Sequence, residues 1–171
     1  MTVPAARIPR LLLGVVAVVI LAGCHRQPDR LDMARATRQI GTSLQSTYRL
    51  PVTDLRCPGK VDARKGGTFP CTLAIAGHPL TVTITQRTSD GDLRVTPTSA
   101  VLVMAKVRPD MVKTLAAQLH RTKLRADCGG QKVRVVAPRG SFECMLADGT
   151  ARRRVTVRVT DAGGTLTYTL H

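Results

Sequence analysis

Residues 66–71 read GGTFPC and residues 139–144 read RGSFEC. In both copies a glycine precedes a hydroxyl residue, a phenylalanine and, two residues later, a cysteine. We expect Phe69 and Phe142 to be buried beside these cysteines, on the second strand of a small sheet. The pattern indicates that the chain contains one structural module twice.

The rest of the chain aligns with itself around these two copies. Upstream the halves match at an offset of 71 residues, and downstream, after a two-residue insertion, at an offset of 73. The matched pairs are Ile40/Met111, Leu44/Leu115, Tyr48/Leu119, Cys57/Cys128, Gly67/Gly140, Phe69/Phe142, Cys71/Cys144, Leu73/Leu146, Val82/Val155, Ile84/Val157, Gly91/Gly164 and Leu93/Leu166. We therefore divide the chain into a first module at residues 31–98 and a second at residues 99–171.

Each module begins with a helical pattern and then changes to a strand pattern. Apolar residues recur at intervals of three or four from Met33 to Tyr48 and from Met111 to Leu119, the second helix opening with Pro109 in its first turn. In TVTITQR (81–87) and RVTVRVT (154–160) apolar residues alternate with polar ones, as in strands with one buried face. We predict an α+β fold of two tandem modules, each with one helix packed on a roughly four-stranded antiparallel sheet.

The cysteines fit this repeat. The chain has five; Cys24 lies outside the repeat, and the other four allow three connectivities. We predict the disulfides Cys57–Cys71 and Cys128–Cys144, because only pairing within a module treats both copies alike. A closed loop of about 15 residues would stabilise each module by about 3 kcal/mol. The competing interpretation is a metal site, but the sequence has no C-x-x-C pair, and its histidines do not cluster with these four cysteines.

The amino end has the layout of a secretory signal. Arg7 and Arg10 precede an apolar run at residues 11–23, which is shorter than the roughly 20 residues of a membrane span. Leu21-Ala22-Gly23-Cys24 resembles the lipobox of bacterial lipoproteins, whose cysteine is joined to diacylglycerol and becomes the first mature residue. We predict a lipoprotein signal peptide at 1–23, a lipidated Cys24, a short tether at 24–30, and a location on the extracytoplasmic face of the cell membrane.

A family resemblance follows from the same motifs. Cys57-Pro58, the GGTFPC stretch and the strand from Thr81 to Thr85 resemble the domain of unknown function 4333, found in actinobacterial exported and lipid-anchored proteins. The second copy fits except that Gly129 replaces the proline, so the resemblance covers roughly residues 31–171. It implies a location and a fold, and it implies no catalytic residues. A looser likeness, of architecture alone, is to the secreted β-lactamase inhibitor proteins.

The sequence shows no recognisable catalytic constellation. His78 lies in a turn and His120 on a helix flank, and neither has an evident aspartate partner or a nucleophile elbow. Asp90 and Asp92 flank a glycine turn, where aspartate is common. We therefore expect a binding or scaffolding protein with no cofactor and no metal. The alternatives are an inhibitor of a secreted enzyme or an unrecognised hydrolase.

The charge balance suggests an anionic partner. The chain carries 26 basic and 11 acidic side chains, and removing Arg7 and Arg10 changes this little. Outside the cytoplasm such charge attracts anionic lipid, a wall polymer or an acidic envelope protein, whereas nucleic acid is disfavoured by location and by the scarcity of aromatic residues. The oligomeric state is left open. A merely solvated basic surface is the competing interpretation.

Strand alternation predicts where an anion would bind. If Val155, Val157 and Val159 face the helix, Arg152, Arg154 and Arg158 share the open face of the sheet. The equivalent strand of the first module presents threonines, so we expect the second module to carry the anion-binding face. We assign further basic residues to the two helices, namely Arg35, Arg38, Lys113, Arg121, Lys123 and Arg125.

Overall fold

The computed structural model describes residues 30–171. Within them the first module contains α1 (Met33–Tyr48), β1 (Val52–Arg56), β2 (Thr68–Ile75), β3 (His78–Gln86) and β4 (Leu93–Pro97). The second contains β5 (Ala100–Val103), α2 (Met104–Leu119), β6 (Leu124–Asp127), β7 (Val133–Val136), β8 (Ser141–Asp148), β9 (Ala151–Val159) and β10 (Leu166–Leu170). The predicted α+β fold in two modules is confirmed.

The first module packs α1 on an antiparallel sheet with the strand order β1-β2-β3-β4. Asp32 caps the helix, because its side chain accepts a hydrogen bond from the backbone N–H of Arg35 at 3.0 Å. Ile40 and Leu44 of α1 are buried against the inward side chains of β2 and β3, which include Phe69. The alternating sequence pattern of β2 and β3 therefore has the predicted cause: one face of the sheet lies against the core and the other faces solvent.

The second module repeats this arrangement with the strand order β10-β9-β8-β6. Met111 and Leu115 of α2 pack against Val155, Val157 and Val159 of β9. Phe142 is buried in the same core, with 9% of its surface exposed. The cores of the two modules thus use equivalent positions of the repeat.

The predicted start of the second helix was wrong. It begins at Met104, so Pro109 lies inside it and not in its first turn. Met104 and Val107 are buried in the core, and this burial stabilises the helical turn before Pro109. It offsets the loss of the one backbone hydrogen bond that an internal proline cannot make. The helix ends at Leu119, and His120 adopts a left-handed conformation as its C-cap.

Because α2 ends at Leu119, the assignment of three further basic residues to this helix was also wrong. Arg121 and Lys123 lie in the turn that follows the helix, and Arg125 lies on β6. The reason is that Leu124 is needed in the core and Arg125 pairs with Ala147 in the sheet. The chain therefore leaves the helix before it reaches these positions.

The sequence also gave no sign of a two-stranded ribbon formed by β5 and β7. Ala100 and Leu102 of the ribbon contribute to the second core. Val101 and Val135, which pair with each other, pack against the first core instead. The ribbon therefore joins the two modules.

Both predicted disulfides are present. Cys57 is bonded to Cys71 and Cys128 to Cys144, each bridge joining the segment before the GGTFPC or RGSFEC motif to its cysteine. Each motif also needs the glycine that precedes its hydroxyl residue, namely Gly67 or Gly140. A Cβ atom on Gly67 would lie 2.8 Å from the side chain of Gln86, and the backbone is equally close-packed at Gly140.

Candidate anion-binding face

The open face of the second sheet is the surface that carries the predicted arginines. Val155, Val157 and Val159 are fully buried beneath α2. Arg152, Arg154 and Arg158 are exposed on the alternate positions of β9, so their side chains lie on the opposite face, as predicted. Successive alternate positions on a strand are about 7 Å apart. We call this surface, with its neighbours on β6, β8 and β10, the arginine face.

Strand register defines the neighbours of each arginine. Arg158 lies between Ser141 of β8 and Thr167 of β10. Arg154 lies beside Met145, whose side chain is 40% exposed. The face therefore consists of arginines separated by hydroxyl and apolar side chains and by Glu143, which lies opposite Thr156.

Arg125 is a further member of this face that the sequence reasoning missed. Arg152 pairs with Ala147, and Ala147 pairs with Arg125 on the next strand. Residues in one such row point to the same side of an antiparallel sheet. The signal that could have found Arg125 is the alternation of Leu124 and Ala126 with Arg125 and Asp127, which marks a short strand.

Acidic groups compensate only part of this charge. Arg154 and Glu143 approach to 3.6 Å, but both side chains are more than 60% exposed, and such pairs contribute little. Asp127 lies on the same face because it pairs with Met145. Within residues 30–171, Arg125, Arg152 and Arg158 have no ion-pair partner. The face is therefore left with a net positive charge.

The equivalent face of the first module is mainly hydroxylic. Thr81, Thr83 and Thr85 occupy the outward positions of β3. Their neighbours include Thr72 and Thr96, while basic residues lie on the outer strands, namely Arg56 on β1 and Arg94 on β4. We call this surface the threonine face. Two modules with matching cores thus present different open faces.

Two other arginines of the second module have structural contacts. A terminal nitrogen of Arg108 donates to the carbonyl of Gly129 at 2.7 Å, and one of Arg134 donates to the carbonyl of Cys128 at 3.2 Å. The Arg134 guanidinium also lies 5.0 Å from the centre of the Phe142 ring. Both arginines therefore stabilise the loop that follows Cys128. Sequence reasoning gave no indication of this role.

A basic depression borders the arginine face at the end of the second module. It has a volume of about 640 Å³ and is lined by Arg121, Lys123 and Arg125 around Asp148. Arg121 and Asp148 approach to 3.4 Å. The depression extends the positive surface around the edge strand β6.

The two candidate histidines, His78 and His120, lie apart from the acidic side chains of the described residues. His78 begins β3 and His120 caps α2, and neither makes a hydrogen bond or ion pair with an aspartate or glutamate within residues 30–171. Across the same residues no group of three histidine, cysteine or acidic side chains is arranged to hold a metal ion. Neither helix of the described part has the length and apolar character of a membrane span. Cys24 lies outside the described residues.

Comparison with known proteins gives one family match, which covers part of the chain. Residues 13–91 match the domain of unknown function DUF4333. The DUF4333 match includes Cys24, α1 and the sheet of the first module through β3, and it ends before the second module. No curated protein and no solved structure matches the chain, so the likeness to β-lactamase inhibitor proteins is not shown.

Proposed function

We propose that this protein is an envelope lipoprotein whose second module binds an anionic surface component without catalysis. In this proposal Cys24 carries the lipid on the extracytoplasmic face of the cell membrane, and the first module supports the second. The anionic component is the lipid headgroup layer of the anchoring membrane.

The amino end supports the anchor. The Leu-Ala-Gly-Cys stretch at residues 21–24 follows a basic start and an apolar run of signal-peptide length. The DUF4333 match begins within that run and includes Cys24. Arg30 is the sixth residue after Cys24, so the two residues can lie no more than about 20 Å apart. A lipid on Cys24 would therefore hold the first module close to the membrane.

The observation that carries the proposal is the difference between the two open faces. The repeat keeps the core valines and isoleucine of β3 and β9 but exchanges Thr81 and Thr85 for Arg154 and Arg158. Fold stability does not require this exchange, since both faces are exposed sheet surfaces. A binding role for the arginine face explains it.

The shape of the arginine face favours an extended partner. The arginines lie on an open sheet surface, several ångströms apart, and do not converge on a cavity. Such an array matches a surface with many separate charges better than it matches one small anion. Basic residues near an anionic membrane contribute about 1 kcal/mol each, so three or four would give measurable attraction.

Vesicle binding tests the proposal. The mature-length chain, with Cys24→Ser to remove the lipid, should bind phosphatidylglycerol vesicles at low salt and bind neutral phosphatidylcholine vesicles much less. Replacing Arg152, Arg154 and Arg158 with Glu should weaken binding by roughly tenfold or more. A matched triple change in the first module, Lys60, Arg64 and Lys65 to Glu, alters the net charge equally and should have a smaller effect. Equal effects of the two triple variants would reject the arginine face as the binding surface.

The anchor has its own test. Mass spectrometry of the protein from native membranes should show an acylated Cys24 as the first residue, and Cys24→Ala should release the chain from the membrane or leave the precursor uncut. An unmodified Cys24 thiol, or a different first residue, would contradict the anchor and leave the vesicle result to be judged separately.

A further inference from the structure

The two four-stranded sheets have four edge strands, and three of them carry features that prevent pairing with another chain. In β1 the register shifts between Thr53 and Arg56, and Asp54 has a left-handed backbone conformation. β6 is four residues long, carries Arg125 and Asp127, and contacts α2. β4 ends in Pro97. Such bulges, charges and prolines are the usual protection of a sheet edge.

The fourth edge, β10, has none of these features. Its sequence is LTYTL, from Leu166 to Leu170, and it pairs with β9 in unbroken register. Proline and charged residues do not occur in it. Its inward side chains, Leu166, Tyr168 and Leu170, are only partly buried. β10 is therefore an open edge of moderately apolar character.

The hydrogen bonds to β9 show which backbone groups of β10 point outward. The carbonyl of Thr165 accepts from the N–H of Thr160, and the N–H of His171 donates to the carbonyl of Arg154. Bonded pairs alternate along an antiparallel ladder, so the N–H and C=O groups of Leu166, Tyr168 and Leu170 point away from β9. Within residues 30–171 no other strand pairs with that side of β10.

The repeat shows how the first module blocks the equivalent edge. The N–H of Thr98 donates to the carbonyl of Thr81, which places Pro97 among the outward positions of β4. Proline has no N–H to offer to another strand. The offset of 73 aligns Pro97 with Leu170, which has one. The second module thus keeps a donor where the first module lacks it.

We propose that β10 pairs with β10 of a second copy of this chain, antiparallel about a two-fold axis through Tyr168. The sequence LTYTL reads the same in both directions, so this axis places Leu166 opposite Leu170, Thr167 opposite Thr169 and Tyr168 opposite itself. The Leu166–Leu170 and Tyr168–Tyr168 pairs then occupy hydrogen-bonded positions of the ladder. The two residues of each such pair exchange two backbone hydrogen bonds. Every outward backbone group of β10 then has a partner.

The side chains fit the same arrangement. Leu166 lines a groove of about 320 Å³ between the modules, together with Tyr48 and Val107. The second copy's Leu170, on the same sheet face, would lie at the mouth of this groove. On the open face, Thr167 of each copy would lie beside Thr169 of the other. The two arginine faces would then form one continuous surface.

Cysteine cross-linking in membranes tests the pairing and its register with the full-length chain. Thr167 and Thr169 are exposed, and opposite residues at a non-hydrogen-bonded position have Cα atoms about 4.5 Å apart, within reach of a disulfide. Cells that co-express a Thr167→Cys chain and a Thr169→Cys chain should therefore yield a covalent dimer on mild oxidation. Thr167→Cys alone should yield much less, because the diagonal Cα separation is about 7–8 Å. The wild-type chain gives the background from its own cysteines.

A second pair of variants separates backbone pairing from side-chain contact. Leu170→Pro copies Pro97 and should abolish the cross-link, while Leu170→Ala keeps the N–H and should retain most of it. The proposal is overturned if the mixed chains give no dimer above background, if Thr167→Cys alone cross-links equally well, or if Leu170→Pro leaves the yield unchanged. None of these outcomes depends on the binding of anionic vesicles.

Discussion

Val101 lies directly opposite Val135 in the β5–β7 ribbon, and both side chains pack against the core of the first module. The repeat gives Arg30 and Asp62 as their counterparts, and these two residues form an isolated antiparallel bridge on the exposed surface of the first module. A charged pair is costly to bury against an apolar core. The exchange of charge for valine therefore allows the second module to dock on the first.

We predict that Val135→Asp destabilises the protein by about 1–3 kcal/mol, because it places a carboxylate against the first core. Urea unfolding followed by circular dichroism measures the change in the free energy of unfolding. Asp62→Val, at the equivalent exposed position, is the control and should change that free energy by no more than about 0.5 kcal/mol. Equal effects of the two substitutions would show that the ribbon does not join the modules through these side chains.

A buried glutamine provides a second prediction. Gln86 is 2% exposed; its side-chain oxygen accepts from the N–H of Arg64, and its side-chain nitrogen donates to the carbonyl of Asp62. Gln86→Met keeps the volume but leaves the N–H of Arg64 and the carbonyl of Asp62 without a partner, which should cost about 2 kcal/mol or more. The second module has Val159 at this position, so the need for a side-chain amide is specific to the first module. If Gln86→Met has the same midpoint denaturant concentration for unfolding as the wild-type protein, this role is contradicted.

The two disulfides should differ in their rate of reduction. Cys57 is partly exposed, whereas Cys71, Cys128 and Cys144 are buried. Thiol–disulfide exchange requires access to a sulfur atom, so a hydrophilic reductant should open Cys57–Cys71 first. Timed alkylation and peptide mass spectrometry of the folded protein measure the order. Reduction of Cys128–Cys144 first, or of both together, would contradict it.

Tyr168 should make stability depend on pH above about 10. Burial raises the pKa of its phenol, and its hydrogen bond to Asp110, at 2.6 Å, raises it further. The folded state then favours the neutral phenol, so this contribution is complete below the unfolded pKa of about 10 and is lost as pH rises above it. Tyr168→Phe should flatten the decline in stability with pH.

Tyrosine absorbance can follow this titration directly, since the chain has two tyrosines and no tryptophan. Burial also raises the pKa of Tyr48, and in the Tyr168→Phe variant only Tyr48 contributes to the signal. Asp110→Asn should lower the pKa of Tyr168 toward its ordinary value. A Tyr168 titration that this substitution leaves unchanged would show that the carboxylate has no part in it.

The sequence was sufficient for features that follow a period or a repeat. The alternation of Val155, Val157 and Val159 with arginines fixed both the buried face of β9 and the direction of Arg154 and Arg158. The repeat fixed the cysteine pairing, since each bridge lies within one copy. These features depend on local geometry, which a strand or a repeat imposes wherever it occurs.

Features that depend on tertiary packing were missed. Nothing in the residues before Pro109 marks a helix start, because burial of Met104 and Val107 stabilises that turn. Arg125 was assigned to a helix because β6 is only four residues long. Such elements form only when the partner surface is already in place, and local patterns do not reveal that surface.

Chemical protection of individual arginines tests the central claim, that the arginine face contacts an anionic membrane. The unlipidated mature chain would be treated with phenylglyoxal in the presence of phosphatidylglycerol vesicles, and the modification rate of each arginine would be read by peptide mass spectrometry. Vesicles at low salt should slow the modification of Arg152, Arg154 and Arg158, and high salt should restore it. Arg56 and Arg94, on the threonine face, should react at nearly the same rate throughout. Unchanged rates at the three β9 arginines, or equal protection of Arg56 and Arg94, would contradict the claim.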